Sequence, residues 1–237
     1  MEKSQYDLCV EVLRRLDRAG VLKNVVLVGS WCTLFYKDFF GRTKYMVSLK
    51  TRDMDLLIPQ PSAIKEKTDV AELLKDLGFV VGFTGSEGYV RLEHPLIIIE
   101  FLVPERGRDS DKPYPLSQLG LNAQPLRFLD FLVQNTITTK VGATTVTLPH
   151  PANFALHKLL VLTRRPSPEK QIKDKEAAMR VLTALIDKGQ DNLITDVFYT
   201  IPRRWQTKVK KQLTDLTDKK ILDVLSAHKP TTTTAGQ

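Results

Sequence analysis

The sequence changes character at Pro149-His150-Pro151, and this change restricts the folds open to the chain more than any other feature. Before it, short apolar runs alternate with turn residues, which indicates β-strands mixed with helices. After it, apolar residues recur at helical spacing over residues 152–165, 169–188, 191–199 and 203–226. We therefore predict an α/β domain over residues 1–148, a helical domain over residues 149–228 and a disordered tail over residues 229–237.

Within the first part the patterns predict a mixed sheet flanked by helices, so that the whole chain belongs to the α+β class. Helices are predicted at residues 5–19, 30–40 and 67–77, and strands at residues 24–29, 54–58, 79–83, 88–92 and 96–103. A hairpin is predicted over residues 133–148, a short strand or loop over residues 41–52, and a long loop over the proline-bearing residues 105–124.

The composition is that of an ordinary globular protein with an excess of positive charge. No apolar run approaches the roughly 18 residues of a membrane span. The net charge of +8 favours a polyanionic partner such as nucleic acid, although a well-solvated surface carries the same charge. Residues 202–220 hold seven Lys or Arg against two Asp, around a tryptophan, Trp205, that could stack on a base or anchor a core.

The cysteines and the N-terminus bear on the location of the protein. Cys9 and Cys32 provide neither a disulfide framework nor metal-ligand spacing. The first twenty residues are charged and helix-periodic, unlike a signal peptide. We therefore expect a cytoplasmic protein without membrane contact.

Two aspartates, Asp53 and Asp55, stand two residues apart in TRDMDLLIP. On a strand this spacing places both carboxylates on one face, where they repel each other unless a cation lies between them. Mg²⁺ prefers such oxygen ligands together with substrate phosphates. The alternative is an exposed strand edge on which the two charges are simply solvated.

Glu100 is the only charged residue in the apolar run LIIIEFLV. Burial of an unpaired carboxylate costs several kcal/mol, so its surroundings must supply a partner or a metal ion. A third carboxylate beside Asp53 and Asp55 would suit two metal ions about 4 Å apart, as in phosphoryl-transfer sites. The alternatives are a strand face that reaches solvent, or a salt bridge to Arg52 or Arg91.

The segment NVVLVGSWCTLFY runs from an apolar strand through Gly29-Ser30 into a helix, an arrangement that can hold a phosphate. Together with the acidic residues it resembles the nucleotidyltransferase superfamily that includes DNA polymerase beta. The matching positions are Gly29-Ser30, Asp53-Met54-Asp55 and Glu100. The resemblance implies Mg²⁺ or Mn²⁺ held by Asp53, Asp55 and Glu100, and phosphates gripped by Gly29 and Ser30. The interval from Ser30 to Asp53 is longer than in compact members.

The helical part resembles bacterial nucleotidyltransferase-fold proteins of the abortive-infection toxin type, on LPHPANFALHKLLVLTRR and EKQIKDKEAAMRVL. By that resemblance Lys158 approaches the nucleotide's phosphates, and Asp174 orients a basic partner or the nucleotide. The alternative places Lys158 and Lys173 on solvated helix faces. His157 fits helix packing better than ligand binding.

We therefore predict a Mg²⁺-dependent nucleotidyltransferase that moves a nucleoside monophosphate from an NTP, such as ATP, to an acceptor hydroxyl. The basic helices favour an RNA end such as that of tRNA as acceptor, with a protein or small molecule as alternatives. The resemblance implies a toxin-like role with an antitoxin partner. The alternative function is a catalytically silent module of the same fold that binds nucleic acid or a partner protein. In a further alternative, Asp53, Asp55 and Glu100 are surface charges without a role in catalysis.

Overall fold

A computed structural model of the chain describes residues 4–41, 43–45, 51–65, 67–107, 112–165, 167–215 and 219–227. The described residues of Met1–Phe39 and Val47–His150 form one compact unit, and those of Phe40–Met46 and Pro151–Gln237 form a second. The predicted division into domains at residue 149 stays a prediction. The predictions for residues 46–50, and for the tail over residues 229–237, lie outside the described residues.

A mixed β-sheet forms the centre of the first unit. Its strands in the described chain are β1 (Val26–Val28), β2 (Asp53–Leu57), β3 (Val80–Thr84), β4 (Tyr89–Glu93), β5 (Ile98–Pro104), β6 (Tyr114–Leu116) and β7 (Leu121–Leu126). They are ordered β1-β2-β5-β4-β3, with β7 beside the second half of β5, and β6 beside β7. Strands β2 and β7 run parallel to β5, and the other pairs are antiparallel. The predicted hairpin forms β8 (Thr136–Val141) and β9 (Thr144–Pro149).

The helices of the first unit are α1 (Gln5–Arg18), α2 (Trp31–Phe40, whose last residue is assigned to the second unit), α3 (Val70–Lys75) and α4 (Leu129–Val133). Helix α1 begins at a capping box, in which Ser4 and Asp7 each accept a hydrogen bond from the other's backbone N–H. Its apolar stripe is buried, and the helix contacts α3 and β9. The i, i+3, i+4 spacing read from the sequence therefore predicts which face of α1 is buried.

The proline-bearing segment over residues 105–124 is not a loop throughout, as predicted, because β6 and the first part of β7 form within it. Pro115 lies in β6, which pairs with β7 alone among the described strands. An edge strand tolerates proline because the missing N–H is not needed for a second neighbour. The prediction was wrong because proline was taken to exclude a strand.

The second unit contains helices α5 (Pro151–Val161), α6 (Pro168–Asp187), α7 (Asp191–Thr200), α8 (Arg203–Asp215) and α9 (Lys219–Ala227). The first ten residues of α5 are buried, and this helix contacts α6, α7 and α8. The predicted helix over residues 203–226 is described as α8 and α9, with residues 216–218 outside the described chain. The predicted α+β class, with a mixed sheet followed by an all-helical part, is confirmed. Among the described helices, none combines the length and apolarity that crossing a membrane requires.

Candidate active site

Asp53 and Asp55 lie on β2, and both side chains leave the same face of the sheet because successive residues of a strand alternate. Asp53 is exposed and Asp55 is half-buried. Met54 and Leu56, which leave the opposite face, are fully buried. The alternation of DMDLL thus separates a core face from an acidic face, as the sequence predicts.

The carboxylate of Asp55 lies against the backbone of Gly29. Val28, which precedes Gly29, is directly opposite Asp55 in the β1–β2 pair. A Cβ atom on residue 29 would overlap Oδ2 of Asp55 and lie 3.0 Å from its Cγ. Gly29 also has a φ of +74°, which L-residues rarely adopt. Both the backbone conformation and the space taken by Asp55 therefore require glycine at this position.

Glu100 is placed beside Asp55 by the pairing of β2 with β5. In this parallel pair Asp55 is opposite Glu100, and Asp53 is opposite Ile98. Residues directly opposite each other in neighbouring strands share a face, so Asp53, Asp55 and Glu100 all lie on one face of the sheet. The neighbours of Glu100 on the strand, Ile99 and Phe101, are buried on the other face.

The acidic face becomes apolar further along the same strands. Leu57 and Leu102 follow Asp55 and Glu100 on this face, and they are buried together with Val28 against residues of α4, Leu129 and Leu132. Burial of each such side chain contributes about 1.5–3 kcal/mol. Helix α4 therefore packs on the apolar end of this face and leaves the end with the acidic residues uncovered by α4.

The residues on this face fit a divalent cation by their chemistry. Asp53, Asp55 and Glu100 carry carboxylate oxygens, the type of ligand that Mg²⁺ and Mn²⁺ take, and Gly29 leaves the space in which Asp55 sits. Within the described residues, no three His, Cys, Asp or Glu side chains are gathered closely enough to hold a metal ion by themselves. Mg²⁺ usually takes one or two carboxylates and completes its shell with water and substrate phosphates, so this donor set suits a cation that arrives with a phosphate ligand.

Ser30 follows Gly29 and immediately precedes α2. The first turn of this ten-residue helix presents backbone N–H groups and the positive end of the helix dipole. The carbonyl of Ser30 accepts hydrogen bonds from the N–H and the hydroxyl of Thr33, the latter at 2.6 Å. Tyr36 donates to the carbonyl of Pro149 at 2.8 Å and ties the helix to β9. The Gly-Ser turn is thus built on a helix that is fixed within the first unit.

The acidic face continues onto β4 with Arg91, a predicted candidate partner of Glu100, and with Glu93, which was not predicted as part of the site. Arg91 is directly opposite Glu100, and its Nε donates to Oε1 of Glu93 at 2.6 Å. The available signal was the alternation of Arg91 and Glu93 in YVRLE, which places both on one strand face. Arg52, the other predicted candidate partner for Glu100, is exposed and donates to the backbone carbonyl of His94.

In the second unit Lys158 and Asp174 form a buried ion pair between α5 and α6. The exposed fractions of their side chains are 7% and 9%. Asp174 also accepts a hydrogen bond from Nε of Arg165 at 2.6 Å. Burial alone would raise the pKa of Asp174, but the charges of Lys158 and Arg165 outweigh it and hold the pKa below its ordinary value. A solvated position for Lys158 is therefore wrong, whereas Lys173 is exposed.

His157, next to Lys158, is a buried packing residue. Burial and the neighbouring positive charges lower its pKa to about 3, so the imidazole is neutral at pH 7. Its Nε2 has no hydrogen-bond partner among the described residues. His150 packs edge-on against Phe39, and His94 packs against Phe79. The burial of His157 agrees with the packing role predicted for it.

The family of the chain follows from a comparison with known protein families. A family described as "Nucleotidyltransferase" matches residues 7–199, which is most of the chain. The chain belongs to this nucleotidyltransferase family. The predicted superfamily and enzyme class are thereby confirmed. No curated protein sequence matches this nucleotidyltransferase.

Solved structures similar to this nucleotidyltransferase share little sequence with it. An antigenic nucleotidyltransferase-like protein from Paracoccidioides brasiliensis is 14% identical, with a TM-score of 0.47, over 95% of this chain and 94% of that one. The protein ANT(2″)-Ia in complex with adenylyl-2″-tobramycin is 14% identical, with a TM-score of 0.44, over 80% and 96%. A solution structure of the antibiotic-resistance factor ANT(2″)-Ia is 13% identical in sequence, with a TM-score of 0.43. The match covers 88% of this chain and 94% of that one.

Helix α8 of this nucleotidyltransferase carries five of the seven cations in the basic cluster predicted from residues 202–220, and α9 begins with the other two, Lys219 and Lys220. Four cations on α8 are exposed, namely Arg203, Arg204, Lys208 and Lys211. Lys210 is half-buried and lies 5.5 Å from the ring centroid of Phe198. Trp205 is half-buried, and this exposure favours neither stacking on a base nor anchoring a core. The exposed side of α8 therefore presents a positive surface to solvent.

Proposed function

We propose that this nucleotidyltransferase moves a nucleoside monophosphate from an NTP to an acceptor hydroxyl, with Mg²⁺ or Mn²⁺ held by Asp53, Asp55 and Glu100. The position of Asp55 carries the proposal. Its carboxylate lies against Gly29, at the turn that opens α2, and directly across from Glu100. One residue thus connects a phosphate-binding turn with the acidic face of the sheet.

Each residue has a distinct task in this proposal. The bound cation would neutralise the triphosphate and lower the pKa of the acceptor hydroxyl. Asp53 and Asp55 hold the cation, and Glu100 completes the acidic set and takes the proton of the acceptor hydroxyl. Ser30 and the first N–H groups of α2 bind the β- and γ-phosphates, because the end of the helix is positively charged.

We also propose that Lys158 and Asp174 take part in binding the nucleotide. The ion pair supports the predicted task of Asp174, which is to orient a basic partner, since its two oxygens contact Lys158 and Arg165. Arg165 is 38% exposed in its side chain and brings positive charge towards solvent beside this pair. A cationic group held in this way loses little conformational freedom when it binds a phosphate.

The acceptor that we propose is the end of an RNA such as tRNA. The exposed positive side of α8 supports a polyanionic acceptor, because Lys and Arg gain affinity for nucleic acid by releasing its counterions. A toxin-like role, with an antitoxin protein as partner, follows only from the resemblance in the helical part and belongs to the same proposal.

A labelling assay tests this function. The protein is incubated with Mg²⁺, each α-labelled NTP in turn, and total RNA, protein extract or small metabolites. We expect label to become covalently attached to RNA with release of pyrophosphate, to stop with EDTA and to resume with excess Mg²⁺. Label in protein or small molecules would replace RNA as the acceptor. Absence of label from all three would contradict the proposal and favour the silent binding module.

Gly29→Ala tests whether the position of the Asp55 carboxylate matters for this activity. We expect a loss of at least about a hundredfold in label transfer, because the new methyl group displaces a carboxylate that must hold its place within a fraction of an ångström. The positive φ adds a strain of about 1–2 kcal/mol. The measurements are the initial rate of label transfer and the free energy of unfolding.

Gly88→Ala is the matched control for that substitution. Gly88 has a φ of +71°, close to that of Gly29, but a Cβ there meets nothing within 4 Å. It should therefore show the same strain and keep its activity. Equal losses of activity in the two variants would mean that backbone strain, and not the displaced carboxylate, explains the Gly29 result.

A further inference from the structure

Arg91 stands between two carboxylates on the acidic face. Across the β4–β5 pair it is directly opposite Glu100, at a separation at which side chains of opposite charge normally interact. Along its own strand it is ion-paired with Glu93, which lies two residues on and shares its face. Arg91 is therefore ion-paired with Glu93, and the strand register places it next to Glu100 as well.

Gly82 leaves the space that the carboxylate of Glu93 occupies. The strand order is β5-β4-β3, and Gly82 lies on β3, directly opposite Arg91. A Cβ on residue 82 would overlap Oε1 of Glu93 and lie 2.6 Å from its Cδ. The carboxylate of Glu93 thus occupies the space above Gly82, on the side of β4 away from Glu100.

We propose that Glu93 is a positioning residue, which holds the guanidinium of Arg91 towards β3 and so limits the positive charge that Arg91 places at Glu100. This inference rests on the proposed function, in which Glu100 takes part in holding a divalent cation. A cation at Glu100 and the guanidinium of Arg91 compete for the same carboxylate, because like charges that share a ligand repel each other. Loss of Glu93 frees Arg91 for Glu100 and weakens metal binding.

Titration with Mn²⁺ alone, followed by the electron paramagnetic resonance signal of free Mn²⁺, tests the inference without any turnover. We expect Glu93→Gln to weaken Mn²⁺ binding about fivefold, the size of effect that one screened charge produces at short range. Adding Arg91→Gln to Glu93→Gln should restore the affinity of the wild type or exceed it. Gly82→Ala, which displaces the Glu93 carboxylate without removing it, should weaken binding in the same direction.

The control is Glu105→Gln, which breaks the Arg127–Glu105 ion pair of the same unit without touching the acidic face. It should leave Mn²⁺ affinity unchanged. Normal affinity in both Glu93→Gln and Gly82→Ala, or no recovery on adding Arg91→Gln, overturns the inference. Mn²⁺ binding by the wild type that does not depend on Asp53 and Asp55 instead overturns the proposed function, so the two failures are distinguishable.

Discussion

Asp53→Ala/Asp55→Ala is expected to reduce nucleotidyl transfer at least about a thousandfold, to the background of the assay. The two carboxylates leave the same face of β2, and one of them lies against the Gly29 turn. A divalent cation contributes several kcal/mol of charge stabilisation, and each 1.36 kcal/mol corresponds to a tenfold change in rate. Initial rates of label transfer at saturating Mg²⁺ provide the measurement.

This loss should occur without unfolding. Removal of two neighbouring like charges relieves repulsion on the sheet, so the melting temperature should stay the same or rise. Asp130→Ala is a suitable control, since Asp130 is an exposed aspartate of the same unit whose nearest described ion-pair contact, to Arg106, is 3.9 Å long. It should retain the wild-type rate. Label transfer that survives the double substitution would exclude a metal site built on these aspartates.

The faces of individual strands could be predicted from the sequence, because alternation along a strand is a local property. The spacing of Asp53 and Asp55 indicated a shared face, and the structure shows that face. The parallel pairing of β2 with β5, across the intervening β3–β4 hairpin, also agrees with the prediction of Glu100 on a strand next to the aspartates. That prediction came from the cost of burying a lone carboxylate in LIIIEFLV, and the resemblance then supported it.

Contacts that depend on side chains from distant segments could not be predicted in this way. Lys158 lies on an apolar helix, and its burial becomes tolerable only because Asp174 from the next helix neutralises it. The position of Glu93 depends on Gly82, a strand residue whose missing side chain leaves the space. In both cases the sequence shows the charged residue, but the partner or the space is created by tertiary packing.

Asp174→Ala is expected to destabilise the helical unit by about 3–5 kcal/mol, because it leaves the ammonium group of Lys158 buried without a counter-charge. Asp187→Ala, on the same helix, is the control. It breaks the Lys220–Asp187 ion pair, in which both side chains are about half exposed, and should cost no more than about 1 kcal/mol. Denaturant unfolding followed by helical circular dichroism measures both. Similar losses in the two variants would show that burial does not govern the Asp174 effect.

A double substitution separates the structural task of this pair from its proposed part in nucleotide binding. Lys158→Met/Asp174→Leu replaces the ions by apolar groups of similar size, and such replacements of buried pairs are often neutral or stabilising. Arg165 can then turn to solvent, since its side chain is already 38% exposed. We expect near-normal stability together with a KM for the NTP raised at least about tenfold. An unchanged KM in this folded variant would assign Lys158 and Asp174 to the fold alone and remove them from the nucleotide site.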